Sequence, residues 1–257
     1  MINEKNCYAY ITEMLLFSQR PFEHTDWSYL CNLSGINQFR NFRVFLIKDE
    51  KKDLDLETFQ NLIFKEYHLQ FCMKWNNLII CIVPVELLPD EKISELYDFL
   101  YKHLSKTIKI SCGGIKEHLE NVSDSFKEAA RTFDMIESMK FDNKSYMKYE
   151  DLGVYRILYE LNDVKVFEEY ASDMFRELWK YDDENDAKLF TTLECYLNND
   201  CNLEITAAEL YIHVNTLRYR IKQIEQITNK NLKSISVLSE FLTAFKVRRL
   251  IEVIHDR

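Results

Sequence analysis

The stretch Asn202–Thr228, NLEITAAELYIHVNTLRYRIKQIEQIT, decides how the C-terminal part of this chain is read. Glu204–Leu210 reads as a short helix and Tyr211-Ile212-His213 as a turn, with a longer helix opening at about Val214. In that helix Leu217, Ile221 and Ile224 fall at i, i+4 and i+7, the spacing of one buried stripe. At about 100° per residue from Leu217, the positions Asn215, Tyr219, Lys222 and Gln226 lie roughly 140–200° away, with Thr216, Arg218 and Gln223 beside them. This outer face carries amide, hydroxyl, phenol and cationic groups and no carboxylate; Glu225 falls toward its edge. Amides and guanidinium groups pair bidentately with base edges, and cations neutralise phosphates, so such a face suits a DNA major groove. Arg220 flanks the buried stripe and is given a structural or phosphate-binding role. Periodicity alone favours an amphipathic helical hairpin whose polar face is merely solvated; the particular residues on that face point the other way.

The charge distribution agrees with a nucleic-acid module at this end. The 257 residues carry a net charge of −9. Residues 201–257 hold nine basic and six acidic side chains, a net +3, which leaves −12 for the rest. A locally basic segment on an acidic body excludes indiscriminate binding of nucleic acid by the whole surface but accommodates one DNA-contacting module. Only 4 Gly and 3 Pro occur, which argues against collagen-like and linker-rich chains, and against phosphate loops that spend several glycines. Seven cysteines, an odd number with no CxxC pair, read as buried thiols in a reducing compartment. The longest apolar run, Leu78–Val85, suits a buried strand and is too short to span a bilayer. No signal peptide is read, and a cytoplasmic location is expected.

Upstream, element types alternate. Residues 3–17 read as a helix with Tyr8, Ile11 and Leu15 on one stripe. Strands are expected at 42–47, 68–73, 78–84 and 107–112, and helices at 56–67, 92–105 and 123–139. Lys74-Trp75-Asn76-Asn77 forms the hairpin connection between the second and third strands. Phe141–Glu150 is polar and aperiodic and is taken as the boundary. Beyond it the chain reads helical, with amphipathic stretches 154–161 and 164–179. Asp182–Asp186 forms an acidic break leading into a helix N-terminus. The last helix carries Val237, Leu238, Phe241, Leu242, Phe245, Leu250, Ile251 and Ile254, more apolar circumference than one core-facing stripe needs. The fold class expected is α+β, an N-terminal α/β sandwich followed by an all-α helix-turn-helix domain. The divisions expected are 1–38 (helix and connection), 39–140 (α/β domain), 151–185 (helical connector) and 186–257 (helix-turn-helix domain).

The residues Ala207, Ala208, Leu210, His213, Asn215, Thr216, Leu217, Arg218, Tyr219, Arg220 and Ile221 closely resemble the C-terminal, Fis-like helix-turn-helix of PucR/CdaR-type transcriptional regulators. Tyr211 departs from general helix-turn-helix patterns, standing where glycine often makes the turn. The run Tyr149–Tyr155, YEDLGVY, looks like that family's entry to its helical region. Gly113-Gly114-Ile115 through Glu128-Ala129 resembles the end of its degenerate GGDEF-like domain. Many members carry a further N-terminal sensor domain, which this chain, beginning almost at the GGDEF-like region, is expected to lack. The resemblance implies binding of double-stranded DNA through His213, Asn215, Thr216, Arg218, Tyr219, Lys222 and Gln223, with a small-molecule effector of unknown identity; a homodimer is expected because one recognition helix reads only a few base pairs and the chain holds one such module.

An enzyme is the competing class. The order β-α-β-β-α-β is also that of nucleotide cyclases, so a ligand-binding or weakly catalytic nucleotide protein is the alternative. A working diguanylate cyclase needs glycines and Mg²⁺-binding carboxylates in the hairpin, and residues 74–77 supply neither. Asp49, Asp53 and Asp55 read as solvated loop charges rather than metal ligands, and His68, His103 and His118 as surface or helix-end residues. No catalytic residue, metal or cofactor is assigned.

Overall fold

The computed structural model describes residues 4–17, 31–32, 34–139, 145–161 and 163–255. The chain separates into two compact units, residues 1–153 and 154–257.

In the first unit the described elements run α1 (Glu4–Phe17), β1 (Phe42–Asp49), α2 (Leu56–Tyr67), β2 (Cys72–Trp75), β3 (Leu78–Pro84), α3 (Ile93–His103), β4 (Ile108–Cys112), α4 (Val122–Met139) and β5 (Tyr146–Lys148). The sheet order is β2-β3-β1-β4-β5. β1 is antiparallel to both β3 and β4, β2 is antiparallel to β3, and β5 runs parallel to β4. The first four strands with α2 and α3 make a split β-α-β arrangement. Apolar residues alternate across both sheet faces. Phe45, Ile47, Ile79 and Cys81 pack with Phe59, Ile63, Leu96 and Leu100 on one side. Val44, Leu46, Ile80 and Ile82 pack with Ile11, Leu15, Ala129 and Phe133 on the other. Cover on both faces is why β1 and β3 read as continuous hydrophobic runs.

Several sequence expectations are corrected. The second strand is Cys72–Trp75 rather than 68–73, because His68 takes a left-handed conformation (φ 57°) that caps α2. The hairpin turn narrows to Asn76-Asn77, with Asn76 at φ 53° and Trp75 paired to Leu78. Tyr146–Lys148, part of a stretch expected to be a polar connection, forms β5 because the edge of β4 is free to accept it. Asp49, expected to be a solvated loop charge, is buried. It accepts hydrogen bonds from the Lys51 and Lys52 amides at 2.9 and 3.3 Å and from the Thr107 hydroxyl at 2.7 Å. Asp53 instead pairs with Lys74 of the hairpin region at 2.7 Å, and Asp55 caps α2 through the Thr58 amide. All three carboxylates therefore have structural partners.

The second unit holds α5 (Tyr155–Leu161), α6 (Val164–Asn185), α7 (Leu189–Asn198), α8 (Leu203–Glu209), α9 (Val214–Thr228) and α10 (Ile235–His255). The acidic residues Asp182, Asp183 and Glu184 belong to the last turn of α6 rather than to a break. The chain reverses just after them, where Asp186 and Lys188 adopt positive φ. Asp182 then reaches forward, and its carboxylate accepts the Leu189 and Phe190 amides at 2.7 and 2.8 Å, satisfying the open N-terminus of α7. Phe175 of α6 centres an aromatic cluster with Phe190 and Phe245, at ring distances of 5.0 and 4.5 Å. Residues 164–185 thus share one core with α7, α9 and α10. The last helix packs into the same core. Phe241, Phe245 and Leu250 are buried, and Val237, Leu238 and Leu242 pack against the same core. Most of its apolar residues are used within its own unit; Ile251 and Ile254 are half-buried, and Ile235, 84% accessible, stands out to solvent.

Candidate nucleic-acid interface

The site is built on α8, the turn after it, and α9. Asn202 starts α8 by accepting the Glu204 and Ile205 amides on its side-chain oxygen, both at 3.0 Å. This capping residue removes two of the unpaired donors of the first turn. α8 ends in a Schellman arrangement, with the Ile212 amide bonding the Ala207 carbonyl at 2.9 Å and the Tyr211 amide the Ala208 carbonyl at 3.1 Å. The left-handed residue of that motif is Tyr211, at φ 54°. The glycine expected at such a turn is therefore absent while its backbone conformation is retained. His213 then caps α9, its Nδ1 accepting the Asn215 amide at 3.1 Å.

Leu217 and Ile224 are fully buried and hold α9 against the helical core. Arg220 donates from Nη1 to the Thr192 hydroxyl of α7 at 3.0 Å, which gives it the structural one of its two expected roles. Glu225 accepts the Leu232 amide at 2.9 Å and turns inward along the edge.

Of the seven residues singled out for DNA contact, His213, Asn215, Thr216, Arg218, Tyr219 and Lys222 are exposed on one side of this segment. Tyr219 is 64% accessible. Arg218 Nη1 lies 3.4 Å from Asn215 Oδ1, so the two side chains orient one another one helical turn apart. Gln223 differs, being half-buried with its Nε2 donating to the Tyr181 hydroxyl of α6 at 3.1 Å. Sequence reasoning missed this tether, because Tyr181 lies 42 positions earlier and no periodicity links the two. The face is one of hydrogen-bonding and cationic groups on a rigidly held helix.

Among the described residues no cluster of three or more His, Cys, Asp or Glu side chains is placed to hold a metal ion. No described helix is long and apolar enough to cross a membrane.

Residues 189–247 match the family described as the PucR C-terminal helix-turn-helix domain, a span from the start of α7 into α10. The chain is similar to the DNA-binding transcriptional activator AdeR of Bacillus subtilis (strain 168), 28% identical over 206 residues, 78% of this chain and 49% of that protein. It is 34% identical over 137 residues to the proline-responsive transcriptional activator PutR of the same organism, 53% of this chain and 33% of that one. It is also 28% identical over 148 residues to the purine catabolism regulatory protein of that organism, 57% of this chain and 27% of the relative. The matches thus span half or less of the length of these curated relatives. The crystal structure of a regulator of polyketide synthase expression from Bifidobacterium adolescentis aligns over 97% of this chain and 95% of its own, with a TM-score of 0.43 and 17% identity.

Proposed function

For a chain whose C-terminal unit carries the PucR helix-turn-helix domain, we propose a sequence-specific, DNA-binding transcriptional regulator of the PucR/CdaR type, with α9 as the helix that enters the major groove. The observation that carries this is the carboxylate-free face of α9, held by buried Leu217 and Ile224 on the domain that the family match covers. His213, Asn215, Thr216, Arg218 and Tyr219 sit at or near the helix N-terminus, the end that reaches base edges in this class of reader. Arg218 suits guanine O6 and N7, and Asn215 an adenine edge. Lys222 suits a phosphate, and Gln223 keeps its amide oxygen for an edge contact.

One such helix reads only a few base pairs, so a second copy of the chain on a two-fold operator supplies the rest. Since most apolar residues of α10 face its own core, the pairing surface is assigned upstream, where Ile157, Leu161 and Val166 are exposed. The first unit is read as a degenerate GGDEF-like domain that answers an effector. The split β-α-β strand order favours that reading, and the acid-free turn at Asn76-Asn77 disfavours cyclase chemistry. The protein is placed in the cytoplasm, where its DNA is.

The test is selection of duplexes from a random pool by the full chain, followed by gel-shift titration. Arg218→Ala is expected to weaken binding of the selected duplex by about 1–3 kcal/mol. Binding is expected to fall as salt rises, through counterion release. No enriched sequence, or Arg218→Ala binding like the parent, sinks the assignment. Accumulation of cyclic dinucleotide from GTP and Mg²⁺ would favour the nucleotide-protein alternative instead.

A further inference from the structure

Tyr211 has no structural reason to be a tyrosine. Its backbone is pinned by two hydrogen bonds in a left-handed conformation that glycine adopts without steric penalty and a side chain does not. Among the described residues its ring makes no packing, hydrogen-bond or ring contact that would offset this, and the residue is 96% accessible, the highest value among the large hydrophobic and aromatic side chains. The residues on either side behave differently. Leu210 and Ile212 are half-buried, so the turn is anchored and the Tyr211 side chain is aimed outward by a fixed Cα–Cβ direction. It lies two residues before the cap of α9, beside the exposed His213 and Asn215.

Resting on the reading of α9 as the major-groove helix, we propose that Tyr211 is a DNA-contacting residue in its own right. Its phenol donates a hydrogen bond to a backbone phosphate at the lip of the groove that receives α9. In helix-turn-helix proteins the first helix crosses the sugar–phosphate backbone while the N-terminal end of the second enters the groove, so the turn between them passes that lip. Tyrosine hydroxyls are among the groups that bond phosphate oxygens, and such contacts fix register without reading sequence. A neutral phenol releases no counterion, so this contact adds affinity without adding salt dependence.

The experiment compares the full-length parent, Tyr211→Phe and Tyr211→Gly on a duplex selected by the parent and on an unrelated duplex, at several salt concentrations, with thermal unfolding alongside. Tyr211→Phe is expected to bind both duplexes several-fold more weakly, with an unchanged salt slope and unchanged unfolding temperature. Tyr211→Gly is expected to bind at least as weakly while unfolding at a temperature no lower than the parent. A residue kept only for stability gives the opposite pattern for glycine. If the parent binds and both variants bind equally well, the proposal fails and the reading of α9 stands. A loss confined to the selected duplex assigns Tyr211 to a base and also overturns the phosphate contact. A parent that selects no duplex fails the reading of α9 itself, and this proposal with it.

Discussion

Arg220 and Thr192 meet across the interior of the helical unit, with the guanidinium Nη1 3.0 Å from a hydroxyl that is fully buried. Thr192 in turn donates to the Lys188 carbonyl at 2.6 Å, at the head of α7. The pair ties the proposed reading helix to α7, whose N-terminus is itself held by Asp182 of α6. Arg220→Ala is expected to remove the bond that the buried hydroxyl accepts, leaving only the one it donates to Lys188, and to cost about 1–3 kcal/mol of stability. DNA affinity should fall with it, on selected and unrelated duplexes alike. Chemical denaturation and gel shift together check this; a variant that loses affinity at full stability would show that Arg220 touches the DNA directly.

Asn202 offers a cleaner perturbation of the same unit, since it lies at the far end of α8 from the turn. Replacing it by Ala strips the acceptor from two amides and is expected to cost about 1 kcal/mol. Asn202→Asp, which keeps an acceptor and adds a charge favourable to a helix N-terminus, should recover most of that. Unfolding midpoints of the three proteins decide the matter; equal midpoints for parent and Ala variant would mean that the cap contributes nothing.

Gly113 sets the spacing between β4 and α4. A Cβ there would lie 1.9 Å from the Ser125 carbonyl oxygen and 2.5 Å from its hydroxyl. That hydroxyl accepts the Val44 amide at 2.9 Å and donates to the Gly114 carbonyl at 2.8 Å, so it cannot move aside freely. Gly113→Ala is expected to destabilise the first unit by about 3 kcal/mol or more. Gly153→Ala meets no atom within 4 Å and is strained only by its positive φ, so it should be clearly milder. Reversal of that order in thermal melts would count against the packing described.

Asp49 links stability to pH. Burial alone would raise its pKa, but hydrogen bonds from Ser105, Lys51, Thr107 and Lys52 outweigh burial and hold it below the ordinary carboxylate value. A folded-state pKa below the unfolded one gives stability that is fully present above the unfolded value and is lost as pH falls through the folded one. Denaturation at neutral pH and at about pH 3, near the ordinary Asp value, should therefore show Asp49→Asn less stable than the parent at the upper pH and closer to it at the lower. A constant difference between the two proteins would exclude a role for the carboxylate charge.

A second buried polar group closes the opposite end of the same strand. Arg43 is 1% exposed, with Nη1 2.9 Å from Asp90 and Nη2 3.5 Å from Glu150. Nη1 also lies 3.2 Å from the Cys112 sulfur, and burial pushes that thiol up to about pKa 12. Polar groups at both ends of β1 fix the strand where its apolar residues alone would tolerate sliding.

Elements whose signals are local were legible from the order of residues alone. The spacing of Leu217, Ile221 and Ile224 set the buried side of α9 and, by subtraction, the outer face bearing Asn215, Arg218, Tyr219 and Lys222. Dense apolar runs placed β1, β3 and β4 within a residue or two, since strands covered on both faces carry apolar side chains in nearly unbroken succession. Other features depend on partners far apart in the chain. Tyr146–Lys148 is a strand only because β4 offers it an edge. Gln223 is tethered only because Tyr181 lies over it. The apolar side of α10 around Phe241 and Phe245, legible as surplus in one dimension, is covered because α6, α7 and α9 share its core. Periodicity says which side chains leave water, but which neighbours they meet is fixed by long-range packing, and a linear pattern does not encode it.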